Sequence, residues 1–307
     1  MSMKYRESAR RVKSYCLELA DSQGWHIIAT KEASLWVEKL ASIMGLKTGK
    51  ANKYRKLIII RRNGCLDGDM MANIREDLKL PLPINGWISH DLRVIRFMYH
   101  SNVQDIIYMI GEEEGWEIEL IRMEQALLPI YQRTIDYGGL PLHAALVEKD
   151  GRGVLLGGSG GAGKSTCCSR IPPPWHVLCD DETLIVKDSQ KLYVAHPFPT
   201  WSDYLWRRSE RTWNVERSVP LIAIFFLEQS ERDEVVPIGQ GQAAIMINQL
   251  AFQVSQQNWK TTNQEEGRSL KIRLFNNASE LARSVPSFIL RVSLTGQFWK
   301  EIEKVLE

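Results

Sequence analysis

The sequence predicts an α/β fold, with a phosphate-loop nucleotide-binding domain behind a smaller α+β part. Three observations carry that expectation. The decade GGSGGAGKST from Gly157 to Thr166 fits the pattern G-x-x-x-x-G-K-[ST] through Gly158, Gly163, Lys164 and Ser165. The apolar run Val154-Leu155-Leu156 leads straight into it, as a buried strand should. A second short apolar run, Val177-Leu178-Cys179, ends in the acidic pair Asp180-Asp181, sixteen residues after Lys164.

The elements follow in order. Residues 8–21 predict a first helix, with Val12, Tyr15, Cys16 and Leu19 at helical spacing. Trp25-His26-Ile27-Ile28 reads as a strand. Residues 33–44 read as a helix carrying Leu35, Trp36, Leu40, Ile43 and Met44, with Gly45 just past its end. The β-branched run 57–60 reads as a strand, Pro81, Pro83, Asn85 and Gly86 as a loop, and 94–99 as a strand. Residues 119–135 have helical spacing, which Pro129 kinks or splits. The boundary is placed near Gly111-Glu-Glu-Glu-Gly115, giving an N-terminal α+β domain over 1–112 and a nucleotide domain over 113–307.

The second domain opens with a hairpin: 142–147, a turn at Asp150-Gly151, and 154–156 in return. The loop strand therefore has an antiparallel neighbour. Most phosphate-loop folds instead surround that strand with parallel ones reached through helical crossovers. The helix after the loop has room for at most two turns before Pro172-Pro173-Pro174. Residues 183–186 and 221–227 read as strands, the latter buried on both faces. Residues 243–256 and 278–283 read as helices, 288–292 as a last strand and 297–306 as a last helix.

Composition removes several function classes. With 44% hydrophobic and 25% charged residues the chain is globular, and its formal charge of +2 provides no strong field for nucleic acid or a membrane surface. No apolar run reaches the about 18 residues of a membrane span. The stretch from Met1 to Arg11 is charged and lacks the apolar centre of a secretory signal. Cys16, Cys65, Cys167, Cys168 and Cys179 are odd in number and lack C-x-x-C spacing, so they read as reduced thiols. The expectation is a cytoplasmic protein. Cys167 and Cys168 follow the loop, where a helix start can activate a thiol; ordinary packing is the plainer role.

The chemistry concentrates around the loop. Gly158, Ser159, Gly160, Gly161, Ala162 and Gly163 supply a backbone that curls its N–H groups toward phosphate oxygens. Lys164 bridges the terminal phosphates in such loops, and the hydroxyl of Ser165, followed by Thr166, holds Mg2+. Carboxylates at a strand end, here Asp180 and Asp181, hold Mg2+ beside Ser165 or take a proton from an attacking hydroxyl. His143 opens the hairpin strand twenty-one residues before Lys164. A lone histidine among apolar neighbours is usually a packed one; its place on the strand feeding the loop gives it a functional reading as well. The cofactors this implies are ATP and Mg2+.

His143, the hairpin, Gly158-Ser-Gly-Gly-Ala-Gly-Lys164-Ser165 and Asp180-Asp181 together resemble the kinase domain of HPr kinase/phosphorylase, a bacterial enzyme that phosphorylates a serine of a small phosphocarrier protein. The likeness is strong over about 140–190 and follows strand order beyond 220. It implies an HPr-kinase-type P-loop domain, nucleotide on the loop, Mg2+ on Ser165 and an Asp, and the other Asp as proton shuttle beside His143. His196-Pro-Phe-Pro-Thr200-Trp201-Ser202 and the 221–227 strand look similar to the SynChlorMet cassette protein ScmC group. Some kinases of this wider group act on a ribosomal precursor peptide, so the resemblance implies a peptide or small-protein hydroxyl as acceptor.

Two other readings stand beside the kinase. Asp181-Glu182 can be taken as the acidic pair of an ATPase that activates water, and a nucleotide-binding scaffold that chaperones a peptide is the third class. The basic-aromatic stretch Trp206-Arg207-Arg208-Ser-Glu-Arg211-Thr-Trp213, with Arg217 beyond, reads either as a lid whose arginines grip phosphate or acidic peptide, or as a solvated helix with Trp anchors.

Overall fold

The computed structural model describes residues 13–49, 53–62, 67–92, 94–207, 210–259 and 264–307, with only the backbone at 207 and 256–259. Met1 to Arg11, Cys65 and Arg208 lie outside the described residues. The fold is mixed α/β, with two sheets and helices. It divides into two compact units. One comprises Met1–Leu17, Gly24–Ser42 and Leu46–Arg122; the other comprises Glu18–Gln23, Ile43–Gly45 and Met123–Glu307.

The first unit holds β1 (Tyr15–Glu18) except Glu18, β2 (Gly24–Ala29), α1 (Ser34–Met44) except its last two residues, β3 (Lys47–Thr48), β4 (Arg55–Arg61), α2 (Gly68–Leu78), β5 (Trp87–Asp91), β6 (Ile95–His100) and β7 (Val103–Ile110). The sheet order is β3-β1-β2-β4-β7-β6-β5. The pairs β2–β4 and β4–β7 are parallel, and their connections run through α1 and α2. Ile58, Ile60, Met71, Ile74, Met98 and Ile107 form a core between sheet and α2. Each such fully buried side chain contributes about 1.5–3 kcal/mol.

The expected helix over 8–21 is overturned for its described part. Tyr15 and Leu17 are buried while Cys16 and Glu18 face outward, a period of two, and Tyr15 pairs with Thr48. Of the residues that suggested a helix, Tyr15 and Leu19 are also buried in this alternation, whereas Cys16 falls on its outward side. Helix α2 escaped the sequence reading because it buries only Met71 and Ile74. Its start is fixed by Asp67, whose carboxylate accepts from the Met70 N–H at 2.8 Å.

The chain continues through α3 (Trp116–Gln125) and α4 (Leu128–Asp136). The expected helix is thus split, with Pro129 in the first turn of α4, where its missing N–H costs nothing. Then come β8 (Leu140–Lys149), β9 (Arg152–Gly157), α5 (Lys164–Arg170), β10 (His176–Cys179), β11 (Glu182–Lys187), β12 (Tyr193–Phe198), α6 (Trp201–Arg207), β13 (Val219–Gln229), β14 (Glu234–Pro237), α7 (Gln240–Trp259), α8 (Gln264–Ser284), β15 (Ser287–Val292) and α9 (Phe298–Leu306).

Strand β9 lies between β8, antiparallel, and β13, parallel. Pairings β8–β11, β11–β12 and β12–β13 close a ring with it. Strand β15 continues the sheet beyond β13 in parallel, and β14 pairs antiparallel at the edge. Val154 and Leu156 of β9, Ala223 and Phe225 of β13, Cys167 of α5 and Phe298 of α9 share one core beneath the loop. The loop thus leaves a strand that is held on both edges and packed against two helices.

Candidate active site

Tight glycine geometry turns the chain from β9 into α5. A Cβ on Gly158 would sit 2.7 Å from the Ala162 Cβ, and Gly161 and Gly163 adopt φ of 82° and 104°, which favour glycine. The Ala162 N–H donates to the Ser159 carbonyl at 3.1 Å, closing the turn. Above Gly160, Gly161 and Gly163 nothing lies within 4 Å of an added Cβ, so the outer rim of the loop is an open cradle.

Lys164, the first residue of α5, is buried. Its Nζ donates to the Gly158 carbonyl at 2.8 Å and lies 2.9 Å from His143 Nε2. Burial lowers the pKa of this ammonium, and the carboxylates of Asp181 and Asp180 oppose that shift. A protonated lysine can only donate, so His143 Nε2 accepts and the ring proton sits on Nδ1. That nitrogen lies 3.1 Å from Asp181 Oδ1. The three side chains form one line: Lys164, His143, Asp181.

Strand pairing explains the convergence. Strands β10 and β11 both pair with β8, through Cys179 opposite Leu146 and Glu182 opposite His143. Asp180 and Asp181 fill the gap between the two strands, which keep one register along β8 from Cys179 to Glu182. Asp180 takes a different partner: the Thr200 hydroxyl donates to its Oδ1 at 2.6 Å. Asp180 also lines a cavity of about 480 Å³ with Ser165, Thr166, Cys168, Ser169, Val177 and Arg211.

Glu182 lies in register with His143 on one side and Phe198 on the other. The Tyr131 hydroxyl donates to its Oε2 at 2.7 Å. Burial pushes the Glu182 carboxyl up to about 8, with Glu124 and Asp181 adding to the rise and the Tyr131 bond opposing it. Sequence reasoning placed Glu182 only in the ATPase reading and missed Tyr131 altogether, because α4 meets β11 through tertiary packing. Thr200 stood in the sequence two residues past β12 with nothing to mark its bond to Asp180.

Burial pushes the Cys167 and Cys179 thiols up to about 11 and raises that of Cys168, so the thiols near the loop pack rather than react. Among the described residues no cysteine is in a disulfide. His196 is fully buried; its Nδ1 lies 2.9 Å from the Val215 carbonyl and its Nε2 accepts from the Ala20 N–H at 3.2 Å. Burial lowers its pKa to about 4, which fits a neutral packing residue. The stretch from Trp206 to Trp213 is not one solvated helix. Helix α6 ends at Arg207, Trp206 is 81% exposed, and Trp213 is buried beneath the Arg211 guanidinium. Arg217 is bound to Glu148.

Among the described residues no three His, Cys, Asp or Glu side chains gather as a metal cage. Of the set expected for Mg2+, Ser165 and Asp180 line one cavity, while Asp181 lies against His143. Mg2+ in nucleotide sites commonly takes one or two protein oxygens and completes its shell with phosphate and water, so an open cradle beside Ser165 and Asp180 fits that chemistry. Among the described residues no helix is long and apolar enough to cross a membrane.

The model of the family described as SynChlorMet cassette protein ScmC matches residues 106–307. No curated protein matches the chain.

Proposed function

The chain belongs to the SynChlorMet cassette protein ScmC family, and from that premise and the geometry of the loop we propose an ATP- and Mg2+-dependent kinase of the HPr-kinase type. Its acceptor is a serine or threonine hydroxyl of a peptide or small protein, with a ribosomal precursor peptide of the same cassette as the natural case. The observation that carries the reading is the line Lys164–His143–Asp181 at the glycine cradle, with Asp180 set apart beside Ser165.

The division between the two aspartates supports separate tasks. Asp180, held by Thr200 at the cavity that Ser165 also lines, would share Mg2+ with that hydroxyl. Mg2+ would supply charge neutralisation on the triphosphate when bound. Asp181, oriented by His143, takes the proton of the acceptor hydroxyl as that oxygen bonds to the γ-phosphorus, while the bond from that phosphorus to the ADP oxygen breaks. Lys164 and the loop N–H groups stabilise the charge that develops on the γ-phosphate oxygens. In this account Lys164 exchanges its present bond to the Gly158 carbonyl for phosphate oxygens.

The ATPase alternative is less well supported. Its water-activating residue would be Glu182, whose carboxyl is already engaged by Tyr131 and raised by burial. The test is incubation with γ-labelled ATP and Mg2+, with and without a cassette precursor peptide, for wild type, Lys164→Ala and Asp181→Asn. Label on a peptide serine or threonine that both variants lose supports the kinase. Free phosphate that is indifferent to peptide, and lost in the variants, moves the assignment to an ATPase.

A further inference from the structure

The cavity beside Ser165 is more than a gap between Asp180 and the loop. Its volume, about 480 Å³, falls within the range of small-molecule sites. Its lining takes Ser165, Thr166, Cys168 and Ser169 from α5, with Val177, the carboxylate of Asp180 and a cation, Arg211. Lys164, His143 and Asp181 do not line it. The line Lys164–His143–Asp181 and this cavity therefore have no lining residue in common.

That separation gives the cavity a direction. In a loop of this type the lysine takes the terminal phosphates and the following Ser takes the metal. A triphosphate that starts at Lys164 and passes Ser165 continues toward Thr166, and its nucleoside end enters the cavity. The position of Arg211 thus belongs to the phosphate donor, and the acceptor hydroxyl approaches from the His143–Asp181 side.

The placement of Arg211 is supported by its surroundings. Its guanidinium lies 4.8 Å from the Trp213 ring centroid. Trp213 is 1% exposed and packs 5.5 Å from the Tyr204 ring, which packs 6.4 Å from Trp201. All three rings are buried, so the platform beneath Arg211 is fixed. The same segment is tied to the site at its other end, where Thr200 precedes α6 and donates to Asp180. A planar cation stacked on a fixed ring and facing a polar cavity is suited to phosphate and ribose oxygens.

We propose that Arg211, stacked on Trp213, is a nucleotide contact that grips the α-phosphate and ribose end of the bound donor. The inference rests on the kinase reading only insofar as the loop binds a nucleotide. The experiment is calorimetric titration of Mg·ADP and, separately, of Mg-pyrophosphate into wild type, Arg211→Ala, Arg211→Lys and Lys164→Ala. Melting temperatures are measured alongside; Arg211 is exposed and its removal should leave them unchanged. Arg211→Ala is expected to weaken ADP about 10- to 100-fold, the range for a lost charge-assisted hydrogen bond, and to leave pyrophosphate within about twofold. Arg211→Lys is expected to recover part of the ADP loss, since it keeps the charge but loses the planar stack. ADP binding unchanged in Arg211→Ala, or ADP and pyrophosphate weakened equally, overturns the inference while Lys164→Ala still reports on the loop. A wild type that binds neither ligand removes both this inference and the kinase reading.

Discussion

Replacing Glu182 by Gln should stabilise the protein, and more so as pH rises. Glu182 has its carboxyl pushed up to about 8 in the folded chain, against an ordinary 4.5. A carboxyl raised on folding binds its proton more tightly in the native state, so stability is lost as pH climbs from the unfolded value to the folded one. The slope is about 1.4 kcal/mol for each pH unit. Below about pH 4.5 Glu182 imposes no such loss; by pH 7 the loss is about 3 kcal/mol, and above about pH 8 it levels off near 5 kcal/mol. Glutamine carries no charge and keeps an oxygen to accept the Tyr131 hydroxyl bond of 2.7 Å. The stability gap between Glu182→Gln and wild type should therefore be small at pH 5 and grow to about 3 kcal/mol at pH 7. In a domain of this size that is roughly 6–12 °C in melting temperature. Urea or thermal melts of both proteins at pH 5, 6, 7 and 8 measure it directly. A gap that does not change with pH would refute the argument, because it would place Glu182 in a solvated setting.

Three further outcomes follow from the geometry. Gly158→Ala would place a Cβ 2.7 Å from Ala162 Cβ; the loop must shift, and nucleotide affinity measured by titration should fall at least tenfold, with about 1–3 kcal/mol of stability lost in melts. Asp181→Asn keeps an acceptor for His143 Nδ1 but not a base; transfer rate should drop about 10²- to 10⁴-fold in a label-transfer assay while ADP affinity stays within about threefold. Thr200→Val removes the 2.6 Å bond to Asp180. The Mg2+ concentration for half-maximal activity should then rise, by roughly tenfold for a charge-assisted hydrogen bond, with little change at saturating Mg2+.

Local signals made the loop-bearing half of the fold readable in the sequence. The Asp150-Gly151 turn between apolar runs led to the β8–β9 hairpin, and three prolines led to a helix of two turns, as found in α5. Gly158, Gly161 and Gly163 were legible because the loop needs their backbone freedom. Where the sequence misled, two periodicities overlapped or burial was slight: Tyr15 fits a helix with Leu19, yet with buried Leu17 it fits a strand better. The site was legible as residue types but not as partners. Nothing local says that Asp181 meets His143 while Asp180 meets Thr200. That choice emerges only once β10 and β11 pair with the same strand β8, with the two aspartates in the gap between them. Tyr131 and Arg211 came from more distant segments still, and only packing brings them to Glu182 and to the Ser165 cavity.

The central claim is that the line Lys164–His143–Asp181 directs a phosphoryl group to a hydroxyl of a peptide rather than to water. The most direct measurement is a single-turnover reaction with γ-labelled ATP, Mg2+ and excess cassette peptide, in which the label is divided between peptide and free phosphate. The account predicts that most of the label appears on a peptide serine or threonine, and that Lys164→Ala transfers none. Label found only as free phosphate, at a rate the peptide does not alter, would contradict it.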